Sequence, residues 1–346
     1  MTILSRPPRA RRRLGRARQR GAAILIAMLI MTLVATLAAG MVWLQWRGIE
    51  VESAERARGQ GEWLLNGALD WGNLILKSSI RNGHVEDDLT QPWATPLAET
   101  KLSSFLSADG SRTDGSGPDA FLSGQITDMQ SRYNLYNLVV QTDPAQARNE
   151  IIRLQQLCGA IGVSSDIATA IASGLAQSYA AETAAAVDPG QKDATSAVLM
   201  PRQIDDLAWY GIDPKVIRQI EPFVAIIPPP TAATTLVNAN TASAEVLMAA
   251  MPAIGRAAAD QIIQRRQQKP FQTVAEVTAI AGSGNPGAAG AAAPPPPIVD
   301  VKSSYFEIYG QLRYEQHVIR ERSIVYRVNP ILVRVLRRER LPPDVP

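Results

Sequence analysis

The side chains that most often carry chemistry are sparse in this 346-residue sequence: two histidines, His84 and His317, and a single cysteine, Cys158. His84 lies in a polar, turn-rich stretch and His317 in a β-type stretch, and neither has a second ligand at metal-binding spacing. Cys158 has no histidine partner to activate it. Leu154, Leu157 and Ile161 flank it at helical spacing, so it reads as a buried small hydrophobe, and one cysteine cannot close an internal disulfide. No phosphate-binding loop, Gly-x-Ser-x-Gly or His-Glu-x-x-His pattern occurs. Asp87-Asp88 reads as a turn and Asp205-Asp206 as the charge at a helix start. Asp109, Asp114 and Asp119 invite a calcium reading, but their spacing fits no EF-hand loop and the closing acid is missing. The expectation is a chain that is not an enzyme.

What the sequence does offer is a sharply uneven charge. The formal charge is +3, yet Arg6, Arg9, Arg11, Arg12, Arg13, Arg16, Arg18 and Arg20 all precede Gly21, and no acid does. Subtracting those eight cations leaves −5 on the rest, so basicity is no argument that the folded part grips nucleic acid. Ala22 to Trp46 contains no charge and no proline. At about 1.5 Å per residue such a helix crosses the hydrocarbon core. The arginines hold the N-terminus in the cytoplasm and Trp43 and Trp46 fit the outer aromatic belt, which sends the bulk of the chain across the inner membrane.

A cleaved secretory signal competes with this reading, since "LAAG" near residue 40 looks like a cleavage site. The apolar run is longer than the roughly 7–15 residues of a signal core. The helical pattern also continues past it, with Ala54, Ala57, Leu64, Ala68, Trp71 and Ile75 on one face. One helix over roughly 22–80 is therefore expected. Gly48, Gly59, Gly61, Gly67 and Gly72 each weaken it by roughly 1 kcal/mol relative to alanine, so it needs packing partners.

Arg20-Gly21 directly ahead of the apolar run resembles the class III signal of type IV pilins and type II secretion pseudopilins. That resemblance implies prepilin peptidase cleavage between Gly21 and Ala22, on the cytoplasmic side, with the helix kept. Most members carry glutamate at the fifth mature position, where this chain has Ile26. A carboxylate there would cost on the order of 3 kcal/mol in the bilayer, so its loss has meaning. The substitution resembles the K-type minor pseudopilins, in which it fits a subunit that starts a filament.

Two further stretches carry the same resemblance. In "GQITDMQSRYNLYNL", Gly124, Ile126, Asp128, Asn134, Leu135, Asn137 and Leu138 match the K-type pattern, with Ser131 in place of a glycine. In "VNANTASAEVL", Asn238, Asn240, Thr241 and Ala242 match, followed by Arg265, Pro270 and Phe271. Residues 121–138 read as two short strands. Residues 141–280 read as helical, with Asp143 and Pro144 opening the first helix. The family's acidic, calcium-associated stretch corresponds to a segment holding only Glu182, Asp188 and Asp193. Calcium is possible by family resemblance alone, and no cofactor is expected.

Thr241 or Ser243 can cap a helix from Ala244 to Met251, "PAIG" turns, and Arg256 to Gln267 form a second helix. This resembles the helix-hairpin-helix of competence-type DNA receptors, where Arg256, Arg265, Arg266 and Lys269 would meet phosphate. Ala253 replaces the first hairpin glycine and the exported part is net negative, so a packing module is the expectation, with no nucleic acid bound. Residues 281–297 are a Gly/Ala/Pro linker. Beyond them, Phe306, Ile308, Val318, Ile324, Tyr326 and Val328 alternate as strands do.

The predicted fold is α+β and pilin-like: a long N-terminal transmembrane helix on a small antiparallel sheet, with a large inserted all-α domain containing a helix-hairpin-helix or SAM-like module. Its segments are a leader at 1–21, the membrane helix at 22–46, a first pilin half at 47–140, the insert at 141–280, the linker at 281–297 and C-terminal strands at 298–346. The resemblance implies a subunit that starts and caps a periplasmic pseudopilus for type II secretion. Its implied partners are the other minor pseudopilins, the major pseudopilin and the prepilin peptidase, with the outer-membrane secretin and secreted proteins beyond them. The alternative is a membrane-anchored DNA receptor. N-terminal sequencing of the protein extracted from membranes is expected to begin at Ala22; a start near residue 41 would mean ordinary secretion and no filament.

Overall fold

The computed structural model describes residues 20–81, 86–102, 120–187, 198–228, 233–282, 294–314, 317–329 and 332–342. The chain divides into a unit up to Gln60 and a second from Gly61 onward. Helix α1, Arg20–Arg81, carries through both. In the first unit its residues from Ala22 to Trp46 are exposed on every side. The hydroxyls of Thr32 and Thr36 donate to the carbonyls of Leu29 and Leu33, each at 2.9 Å, so both hydroxyls are paired within the helix. The Arg47 guanidinium lies 5.6 Å from the centre of the Trp43 ring, at the end of the apolar run.

The second unit is built on a five-stranded antiparallel sheet in the order β1 (Leu97–Lys101), β2 (Ala120–Asp128), β7 (Tyr305–Tyr314), β8 (His317–Arg327), β9 (Val333–Leu341). β2 and β7 pair from Ala120 opposite Tyr314 to Asp128 opposite Phe306, although residues 129–305 lie between that last pair in the chain. The last turns of α1 lie across this sheet. Leu69 and Leu76 pack with Trp93, Phe306, Ile308 and Val325, and Leu65 is fully buried beside Gly310. Alternation sets which strand positions face the helix: in β7 these are Phe306, Ile308, Gly310, Leu312 and Tyr314, and all are buried.

The helix face differs from the expected one. Ala57 of the expected stripe is buried and Ile75 is half-buried against the core, but Ala54 and Trp71 are exposed, and from Gly61 on the fully buried positions are Gly61, Leu65, Leu69, Gly72 and Leu76, about one residue round the helix. Glycine explains the offset, because it lets the helix approach. A β-carbon on Gly72 would lie 3.1 Å from Ile308 Cγ2, and one on Gly61 2.6 Å from Ile319 Cδ1. Arginines of β9 hold the flank: Arg340 pairs with Glu62, and Arg338 reaches Asn66, Asp70 and Glu321.

The described residues between β2 and β7 form a helical head. Its elements are β3 (Tyr133–Asn134), α2 (Pro144–Ala160), α3 (Ser165–Val187), α4 (Pro214–Ile220), β4 (Val224–Ala225), β5 (Val237–Asn238), α5 (Ala244–Ala250), α6 (Arg256–Gln268), α7 (Val274–Gly282) and β6 (Val299–Asp300). Asp143 caps α2 by accepting from the Ala145 amide at 2.8 Å, and Asp213 caps α4 at 2.7 Å, each followed by proline. Leu154, Leu157, Ile171, Leu175, Leu247 and Ile262 fill one core, and Cys158 is buried among them. Burial pushes the Cys158 thiol up to about 11, away from reactivity.

The head takes in more chain than 141–280. Tyr133, Leu135 and Leu138 belong to its core, and so do Ile298, Val299 and Val301 from the far side of the linker. Residues 121–138 hold the two expected strands, β2 longer than expected and β3 only two residues, with two 3-10 turns beside them. Chain that reads as loop before residue 118 supplies β1. β5 pairs with β6 in parallel, so the chain returns to the head before entering β7.

These contacts separate two glycines of the second unit. A β-carbon at Gly124 would sit 2.6 Å from the Tyr309 carbonyl oxygen, which is backbone and cannot yield, whereas one at Gly67 meets nothing within 4 Å. Gly124→Ala is expected to destabilise the unit by about 1–3 kcal/mol and Gly67→Ala to stabilise it by about 0.8–1 kcal/mol, measured by urea unfolding.

Candidate functional site

Two features stand out from a background of ordinary packing: the apolar first half of α1, and a buried polar seam where head, sheet and α1 meet. Gly21 and Ala22 are helical and lie at the start of α1, and Ile26 is more than half exposed on it. Their setting is a bare apolar helix long enough to cross a membrane.

The seam is centred on Asp128, the last residue of β2. Its Oδ1 accepts from the Gln130 amide at 2.8 Å. Its Oδ2 accepts from Ser303 Oγ at 2.6 Å, Thr241 Oγ1 at 2.6 Å and Asn238 Nδ2 at 2.9 Å. Asn238 Nδ2 also lies within reach of the Asp87 carbonyl and Ser303 Oγ, each at 2.9 Å. Asp87 accepts from the Ser303 amide at 2.8 Å and from the buried guanidinium of Arg327. Arg327 further donates to the Ser303 carbonyl at 2.6 Å and, at 3.4 Å, to the carbonyl of Leu76 in α1, and it lies 4.7 Å from the centre of the Phe306 ring. Gln130 completes the seam, donating to the Leu236 carbonyl at 2.8 Å and accepting from the Ser304 amide at 2.6 Å.

Burial pushes the Asp128 carboxyl above its ordinary value, and its four hydrogen bonds pull it back only in part. The asparagines of the first motif do similar work inside the head. Asn134 donates to the Ile227 carbonyl at 2.8 Å and accepts from the Ile227 amide at 3.0 Å, and Asn137 brackets Thr235 in the same way at 3.0 and 2.8 Å. Asn240 does so with Phe271, at 2.9 Å each way. In each case a side-chain amide substitutes for a missing strand neighbour, which keeps buried backbone groups paired.

Other expected sites resolve differently. Asp88 makes the expected turn, accepting from the Thr90 amide at 2.7 Å, while Asp87 is drawn into the seam. Asp206 accepts from the amides of Arg202 and Gln203, at 2.8 and 2.9 Å, as a helix-start charge should. Ser243, not Thr241, caps α5, at 3.4 Å from the Val246 amide. Of the four cations suited to phosphate, Arg256 pairs with Glu245 and Asp260, and Arg266 donates to the carbonyls of Ala239 and Ala242 at 2.7 and 2.6 Å. His84, Asp109, Asp114, Asp119, Asp188 and Asp193 lie outside the described residues. Of the acids in the stretch matching the family's acidic segment, Glu182 is the one among the described residues.

Family models for type II secretion system protein K match this chain twice, over residues 131–229 for the first domain and 237–295 for the rest. Both matches carry the description type II secretion system protein K, and they support a protein K-type minor pseudopilin. A curated relative, type II secretion system protein K of Pectobacterium carotovorum subsp. carotovorum, is 24% identical over 322 residues, covering 90% of this chain and 93% of the relative. A solved structure, the GspK–GspI–GspJ complex of enterotoxigenic Escherichia coli, matches with a TM-score of 0.58 at 17% identity, covering 84% of this chain and 99% of that one. That likeness carries the pilin-like fold, an apolar N-terminal helix with an antiparallel sheet. Protein K is a minor pseudopilin, a structural component of type II secretion.

For Asp128 the raised folded value fixes a sign. Between about pH 4, where an unfolded aspartate titrates, and its folded value, the folded chain holds the extra proton. Its stability relative to Asp128→Asn is therefore expected to fall as pH rises through that window and to be flat above it, measured by urea unfolding at a series of pH values.

Proposed function

We propose that this minor pseudopilin initiates and caps the periplasmic pseudopilus that helps move folded proteins across the outer membrane. Its N-terminus is cytoplasmic, its single span lies in the inner membrane and its sheet and head are periplasmic. The observation that carries the reading is the bare, uncharged α1 from Ala22 to Trp46 on a chain whose remaining units are well packed. Prepilin peptidase would release Ala22 as the N-terminus. Its amine would then be offered to an incoming subunit, while Ile26 supplies no carboxylate for docking onto an earlier one. An end position follows.

The solved complex holds GspK with GspI and GspJ, which supports other minor pseudopilins as partners here. The major pseudopilin would add below, and the secretin and the exported proteins would lie beyond the tip. The head would supply the cap, since its described residues leave and rejoin the sheet at one end of the β2–β7 pair. Within the head, we read α5, the turn at 251–255 and α6 as the helix-hairpin-helix, serving as a packing module. The ion pairs on Arg256 and the carbonyl contacts of Arg266 support that over a phosphate grip.

Two variants test the assignment in a strain lacking the native gene and overproducing the major pseudopilin. Ile26→Glu is expected to be cleaved normally but to lower the number of filaments several-fold. Replacing residues 129–304 by a short turn is expected to keep initiation and lengthen the filaments. Filament number and length unchanged in both variants would contradict initiation and capping, and export of protein to the medium is the parallel readout.

A further inference from the structure

Only a few strands of chain join the head to the sheet. Asp128 leads into it, Ser303 and Ser304 lead out, and these two crossings are adjacent because Asp128 stands opposite Phe306 in the β2–β7 pair. Two neighbouring backbone crossings alone make a hinge. An apolar patch adds to the joint, with Met129, Ala225 and Ile227 of the head against Tyr305 and Ile324 of the sheet. Such contact resists separation but has little directional preference, so it leaves tilt and sliding open.

The polar seam is different. Asp128 draws donors from three separate places in the chain: Gln130 beside it, Asn238 and Thr241 ahead of α5, and Ser303 at the exit. Arg327 of β8 ties the same node to Asp87 and, through the Leu76 carbonyl, to α1. Hydrogen bonds weaken steeply with angle, and a buried group that loses its partner cannot turn to water. We propose that the Asp128 seam is a rigid joint that fixes the attitude of the head relative to the sheet and the adjoining turns of α1, with Asp128 and Ser303 as its positioning residues. The reading stands whatever the head does at a filament tip.

The test uses the full-length chain in detergent with spin labels on two introduced cysteines, Ala98→Cys in β1 and Gln264→Cys in α6, both exposed. Cys158 is buried and can stay in place. Pulsed electron resonance is expected to give one narrow distance distribution in the otherwise native chain. Asp128→Ala should widen it at least twofold while the far-ultraviolet circular dichroism is kept. If Asp128→Ala loses its helical signal, the double variant Thr241→Val, Ser303→Ala decides, since it removes two of the four donors and leaves the carboxylate in place. Widening in that variant supports the joint. A native distribution already as broad as the variants, or variants as narrow as the native chain, overturns it.

Discussion

The pairing of β2 with β7 is the constraint on which the second unit rests. It joins residues far apart in the chain, and the direct consequence is that the head begins and ends at one point. It also sets the alternation that puts Phe306, Ile308 and Gly310 under α1. The seam forms at that same point because Asp128 closes one strand while Ser303 and Ser304 open the approach to the other. A carboxylate is costly to bury, and here four donors from three segments meet it. Losing any one segment would strip the buried carboxylate of part of its hydrogen bonding away from water.

The two halves of α1 answer to different solvents. From Ala22 to Trp46 the first half has no charge, and the threonine hydroxyls in the middle of that run are each folded back on a helix carbonyl. The second half is amphipathic with a glycine-rich inner face, and its outer flank is held by arginines of β9. A helix that keeps both kinds of surface suits a subunit held in lipid and used outside it.

Local signals in the sequence carried local structure well. The uncharged run gave the helix, and Asp143-Pro144, Asp213-Pro214 and Ser243 stand where their helices start. Asn134, Asn137, Asn238 and Asn240 were visible as motif residues, yet nothing local shows that each one holds backbone from another part of the chain. The Arg327–Asp87 pair spans 240 positions, and no periodicity announces it. The buried face of α1 was misplaced by about one residue because glycine was counted as a weakness of the helix, when at Gly61 and Gly72 it is the contact surface. The reach of the head past its expected limits has the same origin: its outer strands are two residues long and bind distant partners.

Lateral association of α1 within the membrane is the central claim, and cross-linking from inside the bilayer tests it most directly. A photoreactive residue at Leu33, exposed on the apolar half, would be activated in intact cells that assemble the secretion system. Adducts with other pilin-type subunits are the predicted result. Adducts with lipid alone, from a chain that is inserted and begins at Ala22, would contradict it.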